Sequence, residues 1–96
     1  MTRLTEREIG VELETMEGWA LSDGAVQKRF SFDGFPEAVA FVASLVEDAE
    51  HANHHPDIRI AYRHVTVAWT THDAGGVTTL DIAGARMTDR RARSAA

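Results

Sequence analysis

Apolar residues recur along this chain at two spacings, and each switch between them marks an element boundary. Ile9, Leu13 and Met16 stand three or four apart, the spacing of one helix face, and Thr5 with Glu8 three residues on forms a capping-box pattern. A short helix over 5–16 is expected, ended by Gly18. Trp19-Ala20-Leu21 reads as a strand, Ser22-Asp23-Gly24 as a turn and residues 25–32 as a second strand, together a hairpin. In that second strand Val26, Lys28, Phe30 and Phe32 share one parity, and Gln27, Arg29 and Ser31 the other.

Asp33-Gly34 breaks the alternation, and Pro36 suits the first turn of a helix, where its missing N–H leaves no bond unmade. Phe35, Val39, Val42, Leu45, Val46 and Ala49 then follow at helical spacing, which predicts one buried stripe, with Glu37, Glu47, Asp48 and Glu50 mostly off it. Pro56 cannot continue that helix and biases His55 toward extended backbone, so His54 and His55 stand where helix gives way to strand. Ile58, Ile60 and Tyr62 alternate with Arg59 and Ala61 as a third strand; Arg63-His64 is a short connection; Val65, Val67, Trp69 and Thr71 alternate as a fourth. If that alternation holds to its end, His72 points away from the Val65–Trp69 face. Gly75-Gly76 makes a loop, and Thr78 with Asp81 reads as a cap pair opening a helix to about Asp89.

The order is α-β-β-α-β-β-α. It predicts an α+β fold: a four-stranded antiparallel sheet with helices packed on one face, as a single domain over 1–96 whose ends, 1–4 and 90–96, are frayed. By parity Tyr62 and Trp69 belong to the core, and His51 and His64 read as surface residues.

Composition narrows what such a domain can do. With 96 residues the core is small, and chains of this size often gain stability by self-association; a sheet with open edges points the same way, to a homodimer or homotetramer. No cysteine is present, which excludes disulfides and thiolate metal sites and suits a reducing, cytoplasmic setting. No apolar run approaches a membrane span, and the start has no apolar signal region. A formal net charge of −5 argues against non-specific nucleic-acid binding. The one basic cluster, Arg86 with Arg90, Arg91 and Arg93, reads as a solvated helix end.

Candidate chemistry is concentrated in one stretch. All five histidines lie between His51 and His72. Imidazole titrates near neutral pH, with an unperturbed pKa of about 6.5, so a cluster suits general acid–base work. Glu50 could orient a histidine through a carboxylate–imidazole bond or sit on the solvated helix face; both readings stay open. His51 and His55 are four apart and His72 could join them on a metal, but Pro56 makes helical geometry at His55 doubtful and no His-Glu-x-x-His pattern occurs. No metal and no cofactor is expected.

The spacing of Glu50, His54, His55, Pro56, Tyr62, His72 and Asp81 resembles the pattern of the pterin-4a-carbinolamine dehydratase family. The flanks agree: Gly18-Trp19, Phe30-Ser31-Phe32, Phe35, and Thr71-His72-Asp73 before Gly76, so the resemblance covers about residues 15–88. Some members carry an arginine directly before the aspartate, where this chain has Leu80. The resemblance implies the same α+β fold, dimers or tetramers, and dehydration of 4a-hydroxytetrahydrobiopterin to the quinonoid dihydropterin in tetrahydropterin recycling. It implies catalytic acid–base roles for His54 and His72 and substrate binding by His55 and Glu50. Asp81 is read as a helix cap. The rival is a non-catalytic pterin-binding or protein-interaction module of the same fold.

Overall fold

A computed structural model describes residues 2–95. Helix α1 (Glu6–Leu13) leads to β1 (Ala20–Ser22) and β2 (Ala25–Ser31); α2 (Phe35–Ala52) follows, then β3 (Asp57–Ala61), β4 (His64–Trp69), a 3₁₀ turn (His72–Ala74) and α3 (Thr79–Ala95). The strands form one four-stranded antiparallel sheet, as the alternating patterns predict, and its order is β1-β2-β4-β3. Thr5 caps α1 with both halves of the capping box present. Asp23 and Gly24 both take positive φ, 51° and 76°, and close the β1–β2 hairpin between the paired Ser22 and Ala25.

Most of the buried apolar residues make one cluster. Val26 and Phe30 of β2 and Val65, Val67 and Trp69 of β4 face Phe41 and Leu45 of α2 and Ile82 and Ala85 of α3. At roughly 25 cal/mol per Å² of apolar surface removed from water, this layer contact supplies the main driving force for the fold.

Four expectations need correction. The buried stripe of α2 is Ala38, Phe41, Leu45 and Ala49, with Val42 at its margin, while Phe35, Val39 and Val46 are exposed. This helix is apolar on two interleaved stripes, and spacing alone could not say which one meets the sheet. Tyr62 is 67 % exposed with φ 57°, because the β3–β4 turn falls at Tyr62-Arg63, one residue earlier than expected, between the paired Ala61 and His64. The strand parity that made Tyr62 a core residue ends at Ala61. Strand β4 stops at Trp69, so His72 opens the 3₁₀ turn and lies on no sheet face. Finally, α3 does not stop near Asp89 but runs to Ala95. Tertiary contacts extend it: Asp89 accepts from Trp19 Nε1 and Lys28 Nζ, both at 2.9 Å, Ala92 packs on the core, and Arg91 pairs with Asp48 at 2.7 Å. At the other end Leu4 is tied down, its N–H donating to Val77 O at 2.8 Å. Met1 and Ala96, counted among the frayed ends, lie outside the described residues.

Candidate functional site

The end of α2 sends two adjacent histidines into different surroundings. Asn53 takes the left-handed conformation, φ 51° and ψ 42°, its N–H bonds back to Glu50 O, and the His54 N–H reaches Ala49 O at 3.1 Å. This is a Schellman-type stop, favoured by asparagine at the reversal and by Pro56 shortly after. His54 then lines a cavity of about 230 Å³ between α2 and α3, with Ala49, Ala52, Trp69, Leu80 and Met87 among its walls. His55 lines a second cavity of about 150 Å³ with Val42, Val46, Pro56 and Ile58.

His54 is held on two sides. Its Nε2 meets Asp81 Oδ1 at 2.5 Å, with side chains only 13 % and 0 % exposed. Its ring stacks, tilted by 31°, on Trp69 at 5.5 Å between centroids. Trp69 is itself clamped by α3: its indole N–H donates to Thr88 Oγ1 at 3.1 Å. A methyl on Gly84 would stand 2.7 Å from the Trp69 ring, so glycine is what lets α3 approach this closely.

The other oxygen of Asp81 is fully engaged. Oδ2 accepts from Thr71 Oγ1 at 2.7 Å and from the Thr78 N–H at 2.8 Å. The latter is the reach-back half of a capping box on α3, so the cap role read from the Thr78–Asp81 spacing is present. With Oδ2 already accepting from both donors, the carboxylate is suited to accept at Oδ1 from His54 in its Nε2–H tautomer. The imidazole then offers Nδ1 as its acceptor, and among the described residues Nδ1 has no protein hydrogen-bond partner. A buried carboxylate that fixes tautomer and ring orientation is the arrangement by which an aspartate positions a catalytic histidine in general.

His55 has the same kind of partner in the opposite environment. Its Nε2 meets Glu50 Oε2 at 2.5 Å, with side chains 55 % and 70 % exposed. The carboxylate–imidazole alternative for Glu50 is thus formed, and the residue is solvated as well. His72 is exposed, and among the described residues its ring makes no hydrogen bond. It follows Thr71, whose hydroxyl is on Asp81. The structure therefore joins His54 to Asp81 and Thr71, and His55 to Glu50, while His72 lines neither cavity.

Two surrounding histidines complete the picture. His51 is exposed at the end of α2. His64 is partly exposed and contacts Ser31 Oγ through Nδ1 at 2.7 Å; partial desolvation, then Arg29 and Arg63, hold it below the usual imidazole range. Asp48, on the wall of the first cavity, is held below the usual carboxylate range by its hydrogen bond from Arg91, partly offset by desolvation and reinforced by the charges of Arg91, Arg90 and His51. Among the described residues no group of three or more His, Asp or Glu is arranged to hold a metal ion.

Sequence reasoning missed the partnership of Asp81 with His54, since the spacing to Thr78 already accounted for the aspartate as a cap. Its fixed place after the histidines was the available signal. Nothing in the local pattern marked Thr71 or the stacking of Trp69.

Comparison with known proteins gives a consistent picture. The family model described as pterin 4 alpha carbinolamine dehydratase matches residues 2–91. A relative from Picosynechococcus sp. is 54 % identical over 80 residues, covering 83 % of this chain and 87 % of that one. One from Sulfurisphaera tokodaii is 47 % identical over 89 residues, covering 93 % and 96 %. Both are provisionally named pterin-4-alpha-carbinolamine dehydratases. The crystal structure of a transcriptional coactivator/pterin dehydratase from Brucella melitensis superposes with a TM-score of 0.90 at 39 % identity, covering 95 % of this chain and 99 % of that one. A pterin dehydratase-like RuBisCO assembly factor of the alpha-carboxysome shares the fold, with a TM-score of 0.62 at 23 % identity over 77 % of this chain and 86 % of that one.

Proposed function

The chain belongs to the pterin-4-alpha-carbinolamine dehydratase family, and from that premise we propose that it dehydrates a 4a-hydroxytetrahydropterin by histidine acid–base catalysis. In this reaction the C4a–O bond breaks and the oxygen leaves as water after taking a proton from an acid. The neighbouring ring nitrogen gives its own proton to a base as the C=N bond forms. No electrons are exchanged, and no cofactor is required. The observation that carries the reading is the His54–Asp81 pair: a buried carboxylate fixes the ring beside a cavity and leaves Nδ1 for the substrate. Groups of this kind contribute about 10²–10⁴-fold to a rate.

His54 and His72 take the proton-transfer roles, and His55 with Glu50 binds the substrate. His72 is accessible from solvent and comes from the segment that Asp81 ties to His54 through Thr71. The biological setting is recycling of a tetrahydropterin spent by a hydroxylase, in the cytoplasm, which suits a chain without cysteine. Among the described residues no helix is long and apolar enough to cross a membrane. Self-association would cover the outer stripe of α2, where Phe35, Val39 and Val46 are exposed, and the β3 edge with Ile60. Sedimentation of the protein and of Val46→Glu tests this: a dimer or tetramer for the first, a smaller species for the second.

The same exposed stripe supports a second reading, a protein-interaction module retaining the pterin site; the Brucella melitensis protein is described by both roles. A stopped-flow assay separates the two. A 4a-hydroxytetrahydropterin is generated in place and its decay followed by ultraviolet absorbance. Acceleration by the protein that is lost in His54→Ala and in His72→Ala supports the enzyme. No acceleration by the folded protein supports the interaction module.

A further inference from the structure

The segment that carries His72 is gripped from two sides, and only one grip belongs to the site described above. The Thr71–Gly76 bridge closes the segment, with N–H···O bonds of 3.0 and 3.3 Å. Inside it the Gly75 N–H bonds to His72 O at 3.0 Å. On the side of α3, Thr71 is held by Asp81. On the other side lies the stretch just before α1. The Leu4 N–H donates to Val77 O at 2.8 Å, Leu4 packs against the core, and an Arg3 guanidinium N–H reaches Gly75 O at 3.4 Å. The stem of Arg3 lies directly over Gly76: a methyl there would stand 2.6 Å from its Cδ and 3.0 Å from its Cγ. Thr5, next in sequence, is the cap of α1, and Ile9 of that helix is in the core, so the strap is anchored at its far end.

We propose that Arg3 and Leu4 are positioning residues for His72: residues 3–5 strap the 71–77 segment in place and so fix where its imidazole sits. This rests on the acid–base reading of His72 given above. An exposed imidazole without a hydrogen bond has no local restraint on its backbone other than its segment. A displacement of about 1 Å at a proton-transfer group can cost up to roughly 10²-fold in rate. The strap acts on kcat more than on KM, because binding is assigned to His55 and Glu50.

The contact over Gly76 supplies the test. Gly76→Ala places a methyl against the Arg3 stem, so the Arg3 side chain must leave its place over the segment and the strap loses that hold. Arg3→Ala clears the space for that methyl. Gly76→Ala is expected to lower kcat about tenfold with KM nearly unchanged, to move the His72 ring proton resonance in NMR, and to speed exchange of the Leu4 amide. In Arg3→Ala/Gly76→Ala all three return to the values of Arg3→Ala alone. Relief of a merely destabilising clash would restore stability but would leave kcat per folded molecule and the His72 resonance unmoved throughout. Unchanged kcat, His72 resonance and Leu4 exchange in Gly76→Ala would overturn the proposal, as would a double variant whose values differ from those of Arg3→Ala alone. If Gly76→Ala does not fold, Arg3→Ala, an exposed truncation, carries the test by the NMR shift of His72; no shift overturns the proposal. The NMR and exchange readouts need no turnover, so a wild-type protein without dehydratase activity, yet with a His72 resonance that follows the strap, would support the strap while refuting the acid–base reading.

Discussion

Two adjacent histidines each meet a carboxylate at 2.5 Å, yet one pair is buried and the other is bathed in solvent. His54 and Asp81 are 13 % and 0 % exposed; His55 and Glu50 are 55 % and 70 % exposed. In the first pair the partner carboxylate is pinned by Thr71 and the Thr78 N–H, and the ring is pinned by Trp69. In the second, both side chains can exchange their contact for water. Identical contact geometry therefore carries different physics. Breaking a buried pair strands a polar group, whereas an exposed pair is screened and worth about 0–1 kcal/mol. A site that must hold a proton-transfer group in one orientation is better built from the first.

The sharpest way to break this comparison is to delete each ring. His54→Ala is expected to lower kcat by about 10²–10⁴-fold, while His55→Ala raises KM and leaves kcat within a few fold. Steady-state kinetics on both variants checks this, and equal kcat losses would erase the distinction. Next in size is Asp81→Asn. It removes the charge-assisted bonds and presents an NH₂ where an acceptor is needed, at a cost of about 1–3 kcal/mol. For a domain of this size each kcal/mol lowers Tm by roughly 4–8 °C. Because the amide also disturbs the tautomer of His54, turnover per folded molecule should fall with it. A fully active variant of lowered Tm would leave Asp81 as a cap alone. Glu50→Gln should be milder: stability within about 1 kcal/mol and a change confined to KM. The smallest effect concerns Asp48. Its folded-state pKa is depressed by Arg91, so its contribution is present above the ordinary carboxylate value and is lost as pH falls through the lowered one. Acid unfolding of Asp48→Asn should lack that part of the slope below about pH 4: the wild-type protein is slightly the more stable at neutral pH, and the two converge as pH falls.

The sequence made much of this architecture legible where one period dominated. The β1–β2 hairpin, the capping box at Thr5 and the alternation from Val65 to Trp69 each had a single reading. Legibility failed where two readings had equal support. Helix α2 is apolar on two stripes, and which one is buried depends on where the sheet lies. Tyr62 kept strand parity on paper, but the turn begins there and tertiary pairing decided its side. At the site, local spacing accounted for Asp81 as a cap and so hid its second partner, because the contact with His54 spans 27 positions and leaves no periodic trace. The same holds for the strap of Arg3 and Leu4 on the His72 segment.

The most direct test of the account is a double-mutant cycle at His54 and Asp81, read by stopped-flow decay of a 4a-hydroxytetrahydropterin with the wild-type protein, His54→Ala, Asp81→Asn and the double variant, each corrected for the folded fraction. If Asp81 serves the reaction through His54, Asp81→Asn slows the wild-type protein and has no further effect once His54 is gone. Independent, additive losses would contradict that, and would mean that the buried pair holds the fold together while the chemistry is done elsewhere.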